Sequence, residues 1–140
     1  MMSHARDTKT LTARFSPAWK AYGYSNVTVL YDNSIVTKPA PDRFIRFAVR
    51  PSGETDTALG DGRVRVKNFG RIWMQIGVPK QDAELGSRLA DEATAIFRRW
   101  RSADGNLRCL NVERDMSSDD KNQFITVKVS YESIHYKSAA

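Results

Sequence analysis

Most enzyme chemistry at neutral pH needs histidine, cysteine or carboxylate groups brought together, and this sequence of 140 residues offers few. Its histidines are His4 and His135, and neither has a second histidine or a cysteine at ligand spacing, so no zinc pattern exists. His135 follows an alternating apolar run, where a histidine serves structure far more often than catalysis. The single cysteine, Cys109, excludes an internal disulfide and lies in a short apolar run, as a buried inert thiol would. Asp115, Asp119 and Asp120 form the one acidic cluster. A calcium loop counted from Asp115 requires glycine and then glutamate where Asp120 and Thr126 stand, so the cluster reads as a solvated turn. Gly60-Asp61-Gly62-Arg63 lacks the Lys-Ser/Thr ending of a phosphate loop, and no serine sits in a nucleophile elbow. The expectation is a protein that is not an enzyme, with no catalytic residue, no cofactor and no metal.

What these residues can do is bind. Arg63, Arg65 and Lys67 alternate with Val64 and Val66, as one half of a two-faced ribbon would. Arg71, Trp73 and Gln75 lie on the strand face opposite Ile72, Met74 and Ile76. Tryptophan and arginine are enriched in subunit contacts, so Arg63, Arg65, Lys67, Arg71, Trp73 and Gln75 are the candidate interface residues. The competing reading of Trp73 is an ordinary sheet face partly covered by the aliphatic carbon of Arg71. A net charge of +6 favours an anionic partner. The basic residues are spread through the chain, however, and most read as solvated faces.

The elements that position these residues follow from hydrophobic periodicity. Leu11, Phe15 and Trp19 recur at helical spacing within residues 10–22, with a break expected at Pro17 and a stop at Gly23. Residues 26–31 alternate as a strand, 32–34 form a turn, and Pro39 and Pro41 make 38–42 an extended connection. Residues 43–50 and 70–78 are alternating strands, the first ended by Pro51-Ser52-Gly53, with Arg46 and Arg50 opposite Ile45, Phe47 and Val49. Residues 52–68 between them are rich in glycine and charge, and read as an extended hairpin arm with Gly60–Gly62 at its tip. Asp82 is placed to N-cap a helix over 81–101. Leu85, Leu89, Ala93, Ile96, Phe97 and Trp100 form its stripe, and arginines in its last turn suit the negative helix end. Strands over 107–113 and 123–136 follow, joined by a polar connection over 115–122.

The length suits one domain, 1–140, able to bury a core without disulfides or metal, with 1–9 as a flexible N-terminus. No signal peptide and no membrane-spanning run is legible, so no membrane partner is expected. One-sided burial in the strands gives an α+β fold. It is a mostly antiparallel sheet of about five strands, with two helices packed on one face and a long hairpin arm.

The order of these pieces resembles the tail terminator proteins of long-tailed phages. The resemblance runs from about residue 10 to 136. It is carried by the N-terminal helix, Val29-Leu30-Tyr31-Asp32-Asn33, Phe44-Ile45-Arg46-Phe47-Ala48-Val49-Arg50-Pro51 and the strand over 70–79. A helix with Gly86, Leu89-Ala90-Asp91 and Phe97 follows, then the strand over 125–136. Residues 52–68 depart from the pattern. The resemblance implies a structural virion protein that assembles with itself as a homohexameric ring. It would sit at the head-proximal end of the tail after assembly in the host cytoplasm. Its neighbours would be the tail tube protein and the head-completion or connector proteins, with DNA passing through the ring. Alternatives are another neck or tail component, such as a head-tail joining or tail tube protein, and a small basic nucleic-acid-binding domain.

Overall fold

The computed structural model describes residues 3–31 and 41–138. The elements are α1 (Ser3–Ala21), β1 (Thr28–Tyr31), β2 (Phe44–Ala58), β3 (Arg63–Pro79), a 3-10 turn (Lys80–Asp82), α2 (Ala83–Phe97), β4 (Leu107–Ser118) and β5 (Asn122–Ser138). They form one five-stranded sheet in the order β1-β2-β3-β5-β4. Every pairing is antiparallel except β1 with β2, which is parallel. The expected α+β architecture is therefore the one that forms. The expected turn over 32–34 and most of the connection over 38–42 lie outside the described residues.

Alternation decides which face is buried. Ile45 and Phe47 of β2 meet Ile76 and Met74 of β3, which pair in turn with Ile125 and Val127 of β5, and all are almost wholly buried. Both helices lie on that face. Leu11, Phe15 and Trp19 from α1 join Leu89, Ala93, Ile96 and Phe97 from α2 in the same core. A run of rings ties the layers together. Trp19 stacks on Phe15, Phe15 on Phe47 at 4.5 Å, and Phe47 on Phe97 at 6.2 Å, with Trp100 edge-on to Phe97.

Several elements differ from the sequence reading, each for a physical reason. Residues 3–9 are no loose tail: α1 begins at Ser3, and Asp7 is 2% exposed. The carboxylate of Asp7 accepts hydrogen bonds from the Ser133 hydroxyl at 2.6 Å and the Asn68 amide at 3.4 Å. Those bonds anchor a stretch with little apolar character of its own. The helix also runs through Pro17 without a break. Pro17 and Ala13, whose carbonyl would have accepted the missing N–H, are on the exposed side of the helix, within reach of water.

Pro51-Ser52-Gly53 does not end β2. It forms a bulge between Pro51 and Gly53, after which the strand continues to Ala58. Proline is tolerated there because, among the described residues, nothing pairs with the far side of β2 at that level.

Asp82 occupies the N-cap position of α2 but makes no cap bond, because its carboxylate is taken by Arg43. The helix stops at Phe97, so no basic residue stands in its last turn. Arg14 from α1 supplies the cation instead. Its guanidinium donates to the Ile96 carbonyl at 3.1 Å and lies 5.7 Å from the Trp100 ring centroid.

Candidate interaction surface

The arm is built as the glycines suggest. The Leu59 N–H donates to the Arg63 carbonyl at 3.1 Å, and Gly60 and Gly62 both take φ of 82° at the tip, where other residues would be strained. Residues 52–68 are not wholly arm, however. At its root Val66 and Asn68 are buried, and β5 follows β3 along the arm as far as the Arg63–Ser138 pair. The extension has three strands, and its base belongs to the core.

Strict alternation along β3 puts Arg63, Arg65, Lys67, Arg71, Trp73 and Gln75 on the face away from the helices. All six candidate residues thus share one side of the sheet, and among the described residues no helix covers it. Pairing adds residues from neighbouring strands. Arg46 lies opposite Gln75, Ala48 opposite Trp73 and Arg50 opposite Arg71 on β2, while Thr126 and Lys128 lie opposite Gln75 and Trp73 on β5.

The small side chain of Ala48 leaves a cleft of about 270 Å³ lined by Arg46, Ala48, Arg50, Trp73, Gln75 and Thr126. Trp73 is half-buried on this face. The Lys128 ammonium lies 4.6 Å and the Arg50 guanidinium 5.5 Å from its ring centroid, both within cation–π range. Alternation over 43–50 placed Arg46 and Arg50 away from the core. Their position beside Trp73 depends on the β2–β3 register, which sequence alone does not show.

Charge is unevenly distributed over this face. Toward β4 the cations are matched: Lys128 pairs with Asp115 at 2.6 Å, and Arg108 and Lys67 both reach Glu132. Arg71 stands 4.0 Å from Glu113. Toward β2, Arg46 makes no ion pair among the described residues, and Arg50 lies over Trp73. At the two rims the charges are mixed: the open stretch of β4 carries Glu113, Arg114 and Asp115, and the open flank of β2 carries Arg50, Glu54 and Asp56, while Arg46 lies where β2 pairs with β1.

Both rims also carry unpaired backbone. β1 pairs only with Phe44–Phe47 of β2, leaving residues 48–58 without a strand neighbour on that side among the described residues. On β4, Leu107 and Cys109 are bonded to Ser102 and Trp100, but residues 110–118 are open. Large exposed apolar side chains gather at these places: Leu110 and Met116 on β4, and Leu59 and Tyr136 on the arm.

Cys109 is buried, and burial pushes its thiol up to about 12. Asp119 accepts from the backbone N–H groups of Lys121 and Asn122 in the β4–β5 turn, which holds its carboxyl below the usual range. The sequence put a long polar connection there, but β4 runs to Ser118 and Asp115 is part of it. His4 sits in α1, and His135 pairs with Val66 at the root of the arm.

No protein-family model and no curated protein matches the chain. A solved structure whose name states no function is similar, with a TM-score of 0.68 at 20% identity, covering 97% of this chain and 97% of its own. At that identity the likeness speaks for the fold alone.

Proposed function

We propose that this chain is a ring-forming structural protein that caps the tail tube of a long-tailed phage, stopping tube growth and offering the surface for head-tail joining. The observation that carries the reading is the pair of strand edges on one sheet that have no neighbour among the described residues. The β4 rim of one copy and the β2 rim of the next meet antiparallel when copies repeat around an axis, because β2 and β4 run in opposite directions in the sheet. Such pairing fills the unpaired N–H and C=O groups of both edges. It also covers Leu110 and Met116. A contact of this head-to-tail kind closes into a ring when the rotation per copy is right. The order of motifs in the sequence supports the tail terminator among ring proteins, and it supplies the expected copy number of six.

Native mass spectrometry of the purified chain, alone and with isolated tail tubes, tests the reading. Hexamers, or capped tubes that no longer elongate, are expected. Leu110→Glu with Met116→Glu, which charges the open β4 edge at exposed positions, is expected to break assembly while the subunit stays folded. A chain that stays monomeric and ignores tubes overturns the proposal, and one that polymerises into tubes identifies a tube protein instead.

A further inference from the structure

Asp7 uses only half of its carboxylate. The Ser133 hydroxyl and the Asn68 amide both donate to Oδ2, and Oδ1 accepts no hydrogen bond among the described residues. Asp7 is 2% exposed, and an anion in the interior without full compensation is costly. It lines a cavity of about 40 Å³, room for an ion with one or two waters.

The other walls of this cavity are rich in oxygen. Thr10 stands three residues along the same face of α1, and Asp104 and Asn106 come from the turn between α2 and β4. That turn is fixed to the sheet, since the Ile134 N–H donates to the Asn106 carbonyl at 2.9 Å. Asp104 repeats the pattern of Asp7. The Ser102 hydroxyl at 2.5 Å and the Asn106 N–H at 2.9 Å both donate to its Oδ1, leaving Oδ2 without a partner among the described residues. The same two bonds hold its carboxyl below the usual range, so it stays charged. Two carboxylates from distant segments thus each bring an unengaged oxygen to one small cavity. Arg6 also lines it, but is in ion-pair distance of no carboxylate among the described residues.

We infer that Asp7, Asp104, Thr10 and Asn106 form a binding site for a hard divalent cation of calcium's size, which ties the start of α1 to the turn before β4. Calcium accepts irregular sets of carboxylate, amide and hydroxyl oxygens and completes its shell with water, whereas magnesium demands near-ideal octahedral order. Arg6 and the positive end of α1 oppose a cation, so the expected Kd is weak, on the order of 10⁻⁴ to 10⁻³ M. Every ligand comes from one subunit, so the site holds or fails whatever the chain assembles into.

Terbium, which takes calcium's oxygen ligands and emits when excited through a nearby aromatic ring, is the probe. Burial first, and then the charge of Asp7, raises the Tyr131 hydroxyl, which places that ring close enough to serve as the antenna. Titrating the full chain should give saturable emission that calcium displaces, and calcium should raise the melting midpoint because it binds the folded form. Asp7→Asn and Asp104→Asn should each weaken binding at least about tenfold, a loss that even a partner behind a metal ligand causes. Asparagine at 104 still accepts from Ser102 and Asn106, so that variant tests the site even where Asp7→Asn unfolds. Arg6→Gln, which removes the competing cation, should tighten binding severalfold. Asp119→Asn, in a turn with a similarly bonded carboxylate, should leave it unchanged. No calcium-displaceable emission from the wild type, or emission that Asp104→Asn leaves untouched, overturns the inference. Equal loss in Asp119→Asn also overturns it, since the ion would then sit on any acidic turn.

Discussion

Single residues fix the tight places of this molecule. Gly70 lies opposite Tyr131 on the buried face, and a Cβ added there would fall on the Tyr131 ring, itself 1% exposed and without room to move. Gly70→Ala should therefore cost about 1–3 kcal/mol, as overpacking does, read from a urea melt. Asp7→Ala strands the Ser133 hydroxyl and the Asn68 amide in the core, and a loss of about 1–3 kcal/mol is expected in the same assay. For Cys109 the folded thiol is raised to about 12 by burial, while the unfolded chain releases its proton in the ordinary thiol range. The folded state then holds the extra proton between those two values. Stability falls as pH climbs through that window, and this thiol contributes no pH dependence below it. A thiol reagent at pH 8 should accordingly label Cys109 only after denaturant is added. A folded protein labelled at the unfolded rate would refute the burial.

At the scale of elements, α2 is the piece whose packing was most legible. The stripe Leu89, Ala93, Ile96 and Phe97 is buried as its spacing required, and Phe97 touches the ring run from α1 through β2. Phe97→Ala should cost roughly 3–5 kcal/mol, read as a shifted denaturant midpoint at unchanged slope. The arm was legible as a hairpin but not in its extent, because Val66 and Asn68 at its root look like ribbon residues and are core. Replacing residues 57–65 with an Asn-Gly turn between the paired Asp56 and Val66 keeps that root. The shortened chain should melt within a few degrees of the wild type. Cutting back to the Gly53–Phe69 pair removes Val66 and Asn68 and should lower the midpoint clearly. Equal melting of the two would mean that the arm root carries no stability.

For the whole molecule the question is what meets the open sheet. Sedimentation velocity of the shortened-arm chain separates its uses. If residues 57–65 reach a neighbouring copy, ring formation is lost while the shortened chain stays folded. Rings that form unchanged would make the arm tip irrelevant to assembly.

The sequence by itself determined the periodicities: which strand residues alternate and which helix face is apolar. Those are local properties, set by side-chain direction at period two or 3.6. It also showed two short polar rows, Arg63, Arg65 and Lys67 on the arm and Arg71, Trp73 and Gln75 on the strand after it; that one strand joins them came from the structure. Register, strand order and edges are non-local, and only the tertiary structure decided them. The β2–β3 register puts Ala48 opposite Trp73 and so opens the cleft between Arg46 and Arg50. The order β1-β2-β3-β5-β4 leaves β4 at one side and the long flank of β2 at the other, without a strand neighbour among the described residues. The same packing carries Asp7, in a segment with no apolar pattern, to buried partners on β3 and β5. Polar burial of that kind is specified by the partners waiting in the fold, and a one-dimensional pattern does not contain them.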